Sequence, residues 1–158
     1  MKITPIFHIL SILIMPLSGF MMVSGFIDFV YNNQNWINFF ISATITLFVG
    51  MSVFLATRGH NDQNIDLRQA FVLTTMSWIT IAFFGALPFY LSNINLGFTD
   101  SFFESMSGIT TTGSTILVNI EASPPGILAW RSLLQWLGGI GVIVMAIAIF
   151  PMLSVGGM

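Results

Sequence analysis

Ser107-Gly108-Ile109-Thr110-Thr111-Thr112-Gly113-Ser114-Thr115 is the stretch on which the reading of this chain turns. From Thr110 onward it holds no charge and no bulky apolar side chain. Alone, a T-T-T-G-S-T run reads as a polar linker. Its setting argues otherwise. The helical pattern before it, residues 101–110, is about half the length needed to cross a bilayer, and long apolar runs stand on either side.

The surrounding composition sets the medium. Of 158 residues, 55% are hydrophobic and 6% charged, and the mean hydropathy is +0.90. A soluble domain carries about 25% charged residues, so most of this surface must face lipid or other apolar segments. The net charge is -2, with no acidic or basic run, which argues against nucleic acid as a partner. The absence of cysteine excludes disulfides, thiolate metal sites and cysteine nucleophiles.

Spans of about 20 apolar residues mark transmembrane helices. The first is expected over residues 3–31, crossed by Pro16. Its apolar stretch is too long for a signal peptide and no small-x-small cleavage site follows, so it reads as a retained helix. Asn32-Asn33-Gln34-Asn35 makes a polar turn, and Trp36 opens a second span ending near Thr57, as an interfacial anchor would. Residues 58–64 form a solvated loop. Asp66, with Gln69 as capping-box partner, is expected to cap a third span over residues 67–91, with Pro88 near its end. The last span is expected over residues 126–150, closed by Pro151, with Gly138, Gly139 and Gly141 inside it to allow close helix packing.

Lys2, Arg58 and Arg68 fall on one side of such a topology and Arg131 near the other, which places the N-terminus and the 58–68 loop in the cytoplasm. The far side carries Asp28, Asp100, Glu104 and Glu121. These either raise the local cation concentration at a mouth or merely solvate loops and cap helices.

Residues 99–121 therefore start outside and must return outside. They read as a re-entrant loop, in which a short helix descends and a non-helical strand comes back. Bare backbone at that depth is tolerated only inside protein or along a watery cavity. The run from Thr110 to Thr115 is suited to presenting carbonyl groups, and rings of carbonyls can replace the hydration shell of a potassium ion. Gly113 supplies the freedom for a positive φ, and the β-branched threonines stiffen an extended segment around it. The helix over residues 101–109 would aim its partly negative end at the cavity, which favours a cation. Ser101 and Glu104 have the spacing of a capping box at its start. Glu104 is either that cap or the ion-pair partner of Arg131, in which case swapping the two charges should restore function. His8 and His60 match no metal-ligand spacing, and no phosphate-binding glycine motif occurs. No catalytic residue is assigned.

Asp100-Ser101-Phe102-Phe103-Glu104-Ser105-Met106-Ser107-Gly108-Ile109-Thr110-Thr111-Thr112-Gly113-Ser114-Thr115 resembles the first pore loop of the Trk/Ktr/HKT potassium transporter superfamily. Trp130-Arg131-Ser132-Leu133-Leu134-Gln135-Trp136-Leu137-Gly138-Gly139-Ile140-Gly141 and Ile149-Phe150-Pro151-Met152-Leu153-Ser154-Val155-Gly156-Gly157-Met158 resemble the helix that follows it in the bacterial TrkH subunits. Leu67-Arg68-Gln69-Ala70-Phe71 and Phe84-Gly85-Ala86-Leu87-Pro88-Phe89 resemble the helix before it.

The resemblance implies an all-α integral membrane fold, with two leading transmembrane helices (residues 1–66 with their loop) and one helix–pore loop–helix, potassium-channel-like repeat (67–158) of an expected four. It implies potassium uptake across the bacterial inner membrane. Potassium is the transported ion and no cofactor is implied. The ion would be held by backbone groups of Thr111 and Thr112 first, then Thr110 and Gly113. Implied partners are the lipid bilayer, a second copy in a homodimer, and a cytosolic TrkA-like nucleotide-binding subunit. One repeat cannot encircle an ion, so the chain is expected to be part of a longer protein, assembly of several copies being the other way to complete a pore. The alternative is a non-conducting membrane module that assembles with a partner pore subunit. A membrane enzyme ranks last, because no acid–base pair lies within a span.

Overall fold

A computed structural model describes residues 3–59 and 67–155, and all regular structure among them is helical. Four stretches are long and apolar enough to cross a membrane, which makes this a multi-pass membrane protein. Helix α1 (Thr4–Val30) and helix α2 (Trp36–Thr57) form an antiparallel hairpin. The turn between them needs Asn32 at φ 55°, a conformation that asparagine adopts more readily than most residues. Apart from Ser24, whose hydroxyl has no partner among the described residues, buried hydroxyls in the hairpin satisfy themselves locally. Ser11 donates to the His8 carbonyl at 2.6 Å, and Thr46 donates to that of Ser42 at 2.8 Å. In lipid, where no water substitutes, this is the low-cost arrangement.

The expected third span is two helices, α3 (Leu67–Gly85) and α4 (Leu87–Leu91). Pro88 has no N–H, so the Phe84 carbonyl loses its helical donor and the ladder loosens at that point. The neighbouring Gly85 carbonyl accepts instead from Trp130 Nε1 at 2.9 Å, which ties the break to the last helix. Asp66, the expected cap of this span, lies outside the described residues.

Helix α5 (Phe98–Ile109) is the half-length helix expected before the loop, about 18 Å long at 1.5 Å per residue. It packs between α3 and α6 (Pro125–Val155), and the bundle core forms around Phe39, Phe89, Ile109, Trp130 and Leu134. The expected capping box is not formed. Helix α5 begins at Phe98, three residues early, with Gly97 at its N-cap and Asp100 in its first turn. Ser101 therefore sits inside the helix, its N–H on the Gly97 carbonyl at 2.9 Å and its buried hydroxyl unpartnered.

Helix α6 also differs from expectation, since it runs through Pro151 to Val155. Proline removes one bond, but continuing the helix still satisfies the remaining backbone groups in an apolar medium. Its glycines divide by role. A Cβ on Gly138 would run into the Ile109 carbonyl, whereas Gly139 and Gly141 face open space among the described residues. Close packing thus explains Gly138 alone. Gly138→Ala is expected to push α6 off the end of α5 and lower stability by about 1–3 kcal/mol, the usual range for overpacking. Thermal denaturation of the detergent-purified protein measures it, and an unchanged midpoint would contradict the contact.

Candidate pore-loop site

Helix α5 ends in a specific hydrogen-bond pattern. Thr112 N–H donates to the Ser107 carbonyl at 3.1 Å and Thr111 N–H to the Gly108 carbonyl at 3.0 Å. This crossed pair is the Schellman ending, whose left-handed position usually holds glycine. Here Thr111 occupies it, at φ 59°. A β-branched residue in that region is strained. The threonines therefore do not form one extended segment as expected: the chain reverses at Thr111, then turns again at Gly113, where φ is 81° as the sequence suggested.

The reversal sends the chain back along α5, where side chains stitch it down. Ser107 Oγ donates to the Ser114 carbonyl at 2.6 Å. Glu104, fully buried, accepts on both oxygens. Its Oε1 takes Thr115 Oγ1 at 2.9 Å and Arg131 Nε at 2.6 Å, and its Oε2 takes the Ile116 N–H at 2.9 Å. Arg131, from the second turn of α6, extends further. Its Nη2 donates to the Gly113 carbonyl at 3.0 Å and, more weakly, to that of Ser114 at 3.4 Å. The suspected Glu104–Arg131 pair is thus present, and the guanidinium fork also holds the loop backbone.

The four expected ion-binding residues, Thr110, Thr111, Thr112 and Gly113, are consecutive and exposed on one loop. They are not equivalent. The Gly113 carbonyl is engaged by Arg131, whereas among the described residues no donor reaches the carbonyls of Thr110, Thr111 or Thr112. The Thr110 and Thr112 hydroxyls meet each other at 2.8 Å. The helix end itself is less open than expected, since Thr110, Thr111 and Thr112 N–H groups occupy the carbonyls of Met106, Gly108 and Ser107.

Two of the four far-side acids are not at any mouth. Asp28 and Glu104 are fully buried and hydrogen-bonded, so only Asp100 and Glu121 remain towards solvent. Sequence reasoning missed the place of Asp28. Its Oδ1 accepts from Gly126 N–H at 2.6 Å and its Oδ2 from Asn35 Nδ2 at 3.1 Å. An aspartate inside an apolar run was the available signal. The other candidate space is a groove of about 560 Å³ between α1, α3 and α6, lined by Leu13, Leu17, Phe20, Trp78 and Ile109 among others. Its lining is almost wholly apolar, and the Ser77 hydroxyl is spent on the Leu73 carbonyl at 2.7 Å. Such a lining is too poor in oxygen ligands to replace a cation's hydration shell, so the loop is the candidate site.

Known proteins share this architecture. A family model for TrkH, described as a cation transport protein, matches residues 35–158. The chain is 44% identical to the Trk system potassium uptake protein TrkI of Halomonas elongata, over 98% of this chain and 31% of that protein. It is 38% identical to the Trk system potassium uptake protein TrkH of Escherichia coli K12, over the whole chain and 33% of that protein. The crystal structure of the potassium transporter TrkH from Vibrio parahaemolyticus superposes with a TM-score of 0.91 at 34% identity, covering all of this chain and 34% of that one. The chain thus spans about one third of the length of the relatives it matches. On the extent of the family match and these identities, the chain belongs to the TrkH family of cation transport proteins.

Proposed function

We propose that this chain forms the first of four pore repeats in a potassium uptake protein, with Thr110, Thr111, Thr112 and Gly113 lining the ion path. One observation carries the reading: a strained loop whose Thr110, Thr111 and Thr112 carbonyls lack protein donors among the described residues, on a strand otherwise fastened by Ser107, Glu104 and Arg131. Free carbonyls in that setting demand a partner, and a dehydrated potassium ion supplies one. Thr111 and Thr112 are the foremost ligands, followed by Thr110. Gly113 contributes chiefly its turn, because its carbonyl is shared with Arg131. The relatives named as Trk system potassium uptake proteins support the choice of ion.

The same reading divides the chain into a leading hairpin with its loop (1–66) and the repeat proper (67–158). It places the N-terminus in the cytoplasm of a bacterial cell and the filter mouth outside. The complete protein works as a homodimer in the inner membrane with a TrkA-like nucleotide-binding partner.

Two tests follow. Gly113→Ser puts a side chain on a residue held at φ 81°. The strain, about 1–2 kcal/mol, is expected to distort the loop and lower the preference for rubidium over sodium. Uptake by potassium-uptake-deficient cells carrying the full-length protein measures this, and an unchanged preference would sink the filter assignment. For the clamp, Arg131→Ala leaves Glu104 buried without its cation and is expected to cost about 3–5 kcal/mol, read by thermal denaturation. The charge swap Glu104→Arg with Arg131→Glu is not expected to restore uptake, although the two residues do pair. An arginine at 104 would point donors at the Ile116 N–H, and a glutamate at 131 would face the Gly113 carbonyl. Recovery of uptake in the swapped protein would show that those backbone bonds are dispensable.

A further inference from the structure

Helix α6 cannot cap itself. It opens on Pro124-Pro125-Gly126, which offers no side-chain oxygen, and Pro125 has no N–H. The first free donor is Gly126 N–H, and it is met by Asp28 from the end of α1, 98 residues earlier in the chain. Asp28 is fully buried and braced by Asn35 from the start of α2. The fit is tight. A Cβ on Gly126 would lie 2.5 Å from Asp28 Cγ and 2.7 Å from the Ser24 carbonyl oxygen. A negatively charged acceptor at a helix N-terminus is favourable both as a cap and against the helix dipole.

What this contact positions is close by. Five residues after Gly126, about 7.5 Å along the helix axis, stands Arg131, which holds Glu104 and the carbonyls of Gly113 and Ser114. Between them Trp130 fixes the rotation of α6 through the Gly85 carbonyl. The first turns of α6 thus have an axial stop at Asp28 and a rotational stop at Gly85. We propose that Asp28 is a positioning residue for the pore loop: the leading hairpin sets the depth of α6, and so sets where the Arg131 fork meets the loop carbonyls. The hairpin then takes part in ion selection without touching the ion. This inference rests on the reading of residues 110–113 as the filter.

The test compares rubidium and sodium uptake by the full-length protein in potassium-uptake-deficient cells, normalised to the amount of protein in the membrane. Asp28→Ala removes the acceptor and is expected to lower the rubidium-to-sodium ratio about fivefold. Asp28→Asn keeps one acceptor for the Gly126 N–H but gives up charge assistance and turns an amide donor towards Asn35 Nδ2, and is expected to lower it about twofold. A purely structural role would reduce protein level and both fluxes together, leaving the ratio at the unsubstituted value, and that result overturns the proposal. If Asp28→Ala does not accumulate, the isosteric Asp28→Asn decides alone by the same criterion. Gly113→Ser, run alongside, separates the two claims. A ratio altered by Gly113→Ser but not by the Asp28 variants overturns this inference only, whereas a ratio untouched by either removes the filter reading beneath it.

Discussion

A carboxylate with no exposed surface has to have both oxygens satisfied, and the way Glu104 achieves this organises the loop. One oxygen is taken by Thr115 and Arg131, the other chiefly by the Ile116 N–H. The donors come from the returning strand and from α6, so the helix that carries Glu104 is joined to both through a single side chain. Without that carboxylate the returning strand would keep a half-buried N–H with no protein partner. The bond to Ile116 is also directional in a way that Coulomb attraction is not. It fixes which residue of the returning strand lies beside Glu104, and hence how many residues remain to make the reversal between Ile109 and Ser114.

The clamp is only as well placed as the helix that bears its cationic half. Arg131 lies near the start of α6, and that start is held by groups outside the loop: Asp28 on Gly126, and Gly85 on Trp130. The second contact depends on Pro88. By removing a donor from the α3 ladder, the proline loosens it at a point where the Trp130 indole N–H finds the Gly85 carbonyl. A helix break that looks like a defect in the third span is therefore a docking point for the fourth. Gly138 completes the arrangement by letting α6 touch the Ile109 carbonyl at the foot of α5.

Much of this was legible in the sequence, and the parts that were not share a physical cause. The spans showed because apolar length is a property of one segment and lipid enforces it directly. The short helix and the returning strand showed because the helical pattern before the threonines was only half the length of a span. Gly113 showed because a residue without a Cβ among threonines marks a turn. What stayed hidden were contacts between segments distant in the chain. The S-x-x-E spacing at Ser101 and Glu104 suggested a local cap, but the tertiary demand for Glu104 overrode it and the helix began at Phe98 instead. Asp28 was counted with the solvated acids because nothing local reveals a partner 98 residues away. Pro151 read as a stop, since the rule for helices in water leaves out what ending a helix costs in an apolar medium, where further backbone groups would lose their partners.

Thr111 carries the argument one step further. A Schellman ending accepts glycine at its left-handed position without strain, yet this chain places threonine there and reserves glycine for the next turn, two residues on. Glycine at 111 would relieve the strain and also free the backbone, allowing the Thr110, Thr111 and Thr112 carbonyls to sample many directions. A branched side chain in a sparsely allowed region has few alternatives nearby, so the reversal becomes narrow once Ser107 and Arg131 hold its far end. For the proposed filter, which would have to distinguish ions differing in radius by a fraction of an ångström, a stiff loop under modest strain serves better than a relaxed and mobile one. The cost of holding Thr111 in place is carried by the buried clamp of Glu104 and Arg131, which is why the two features belong to one design.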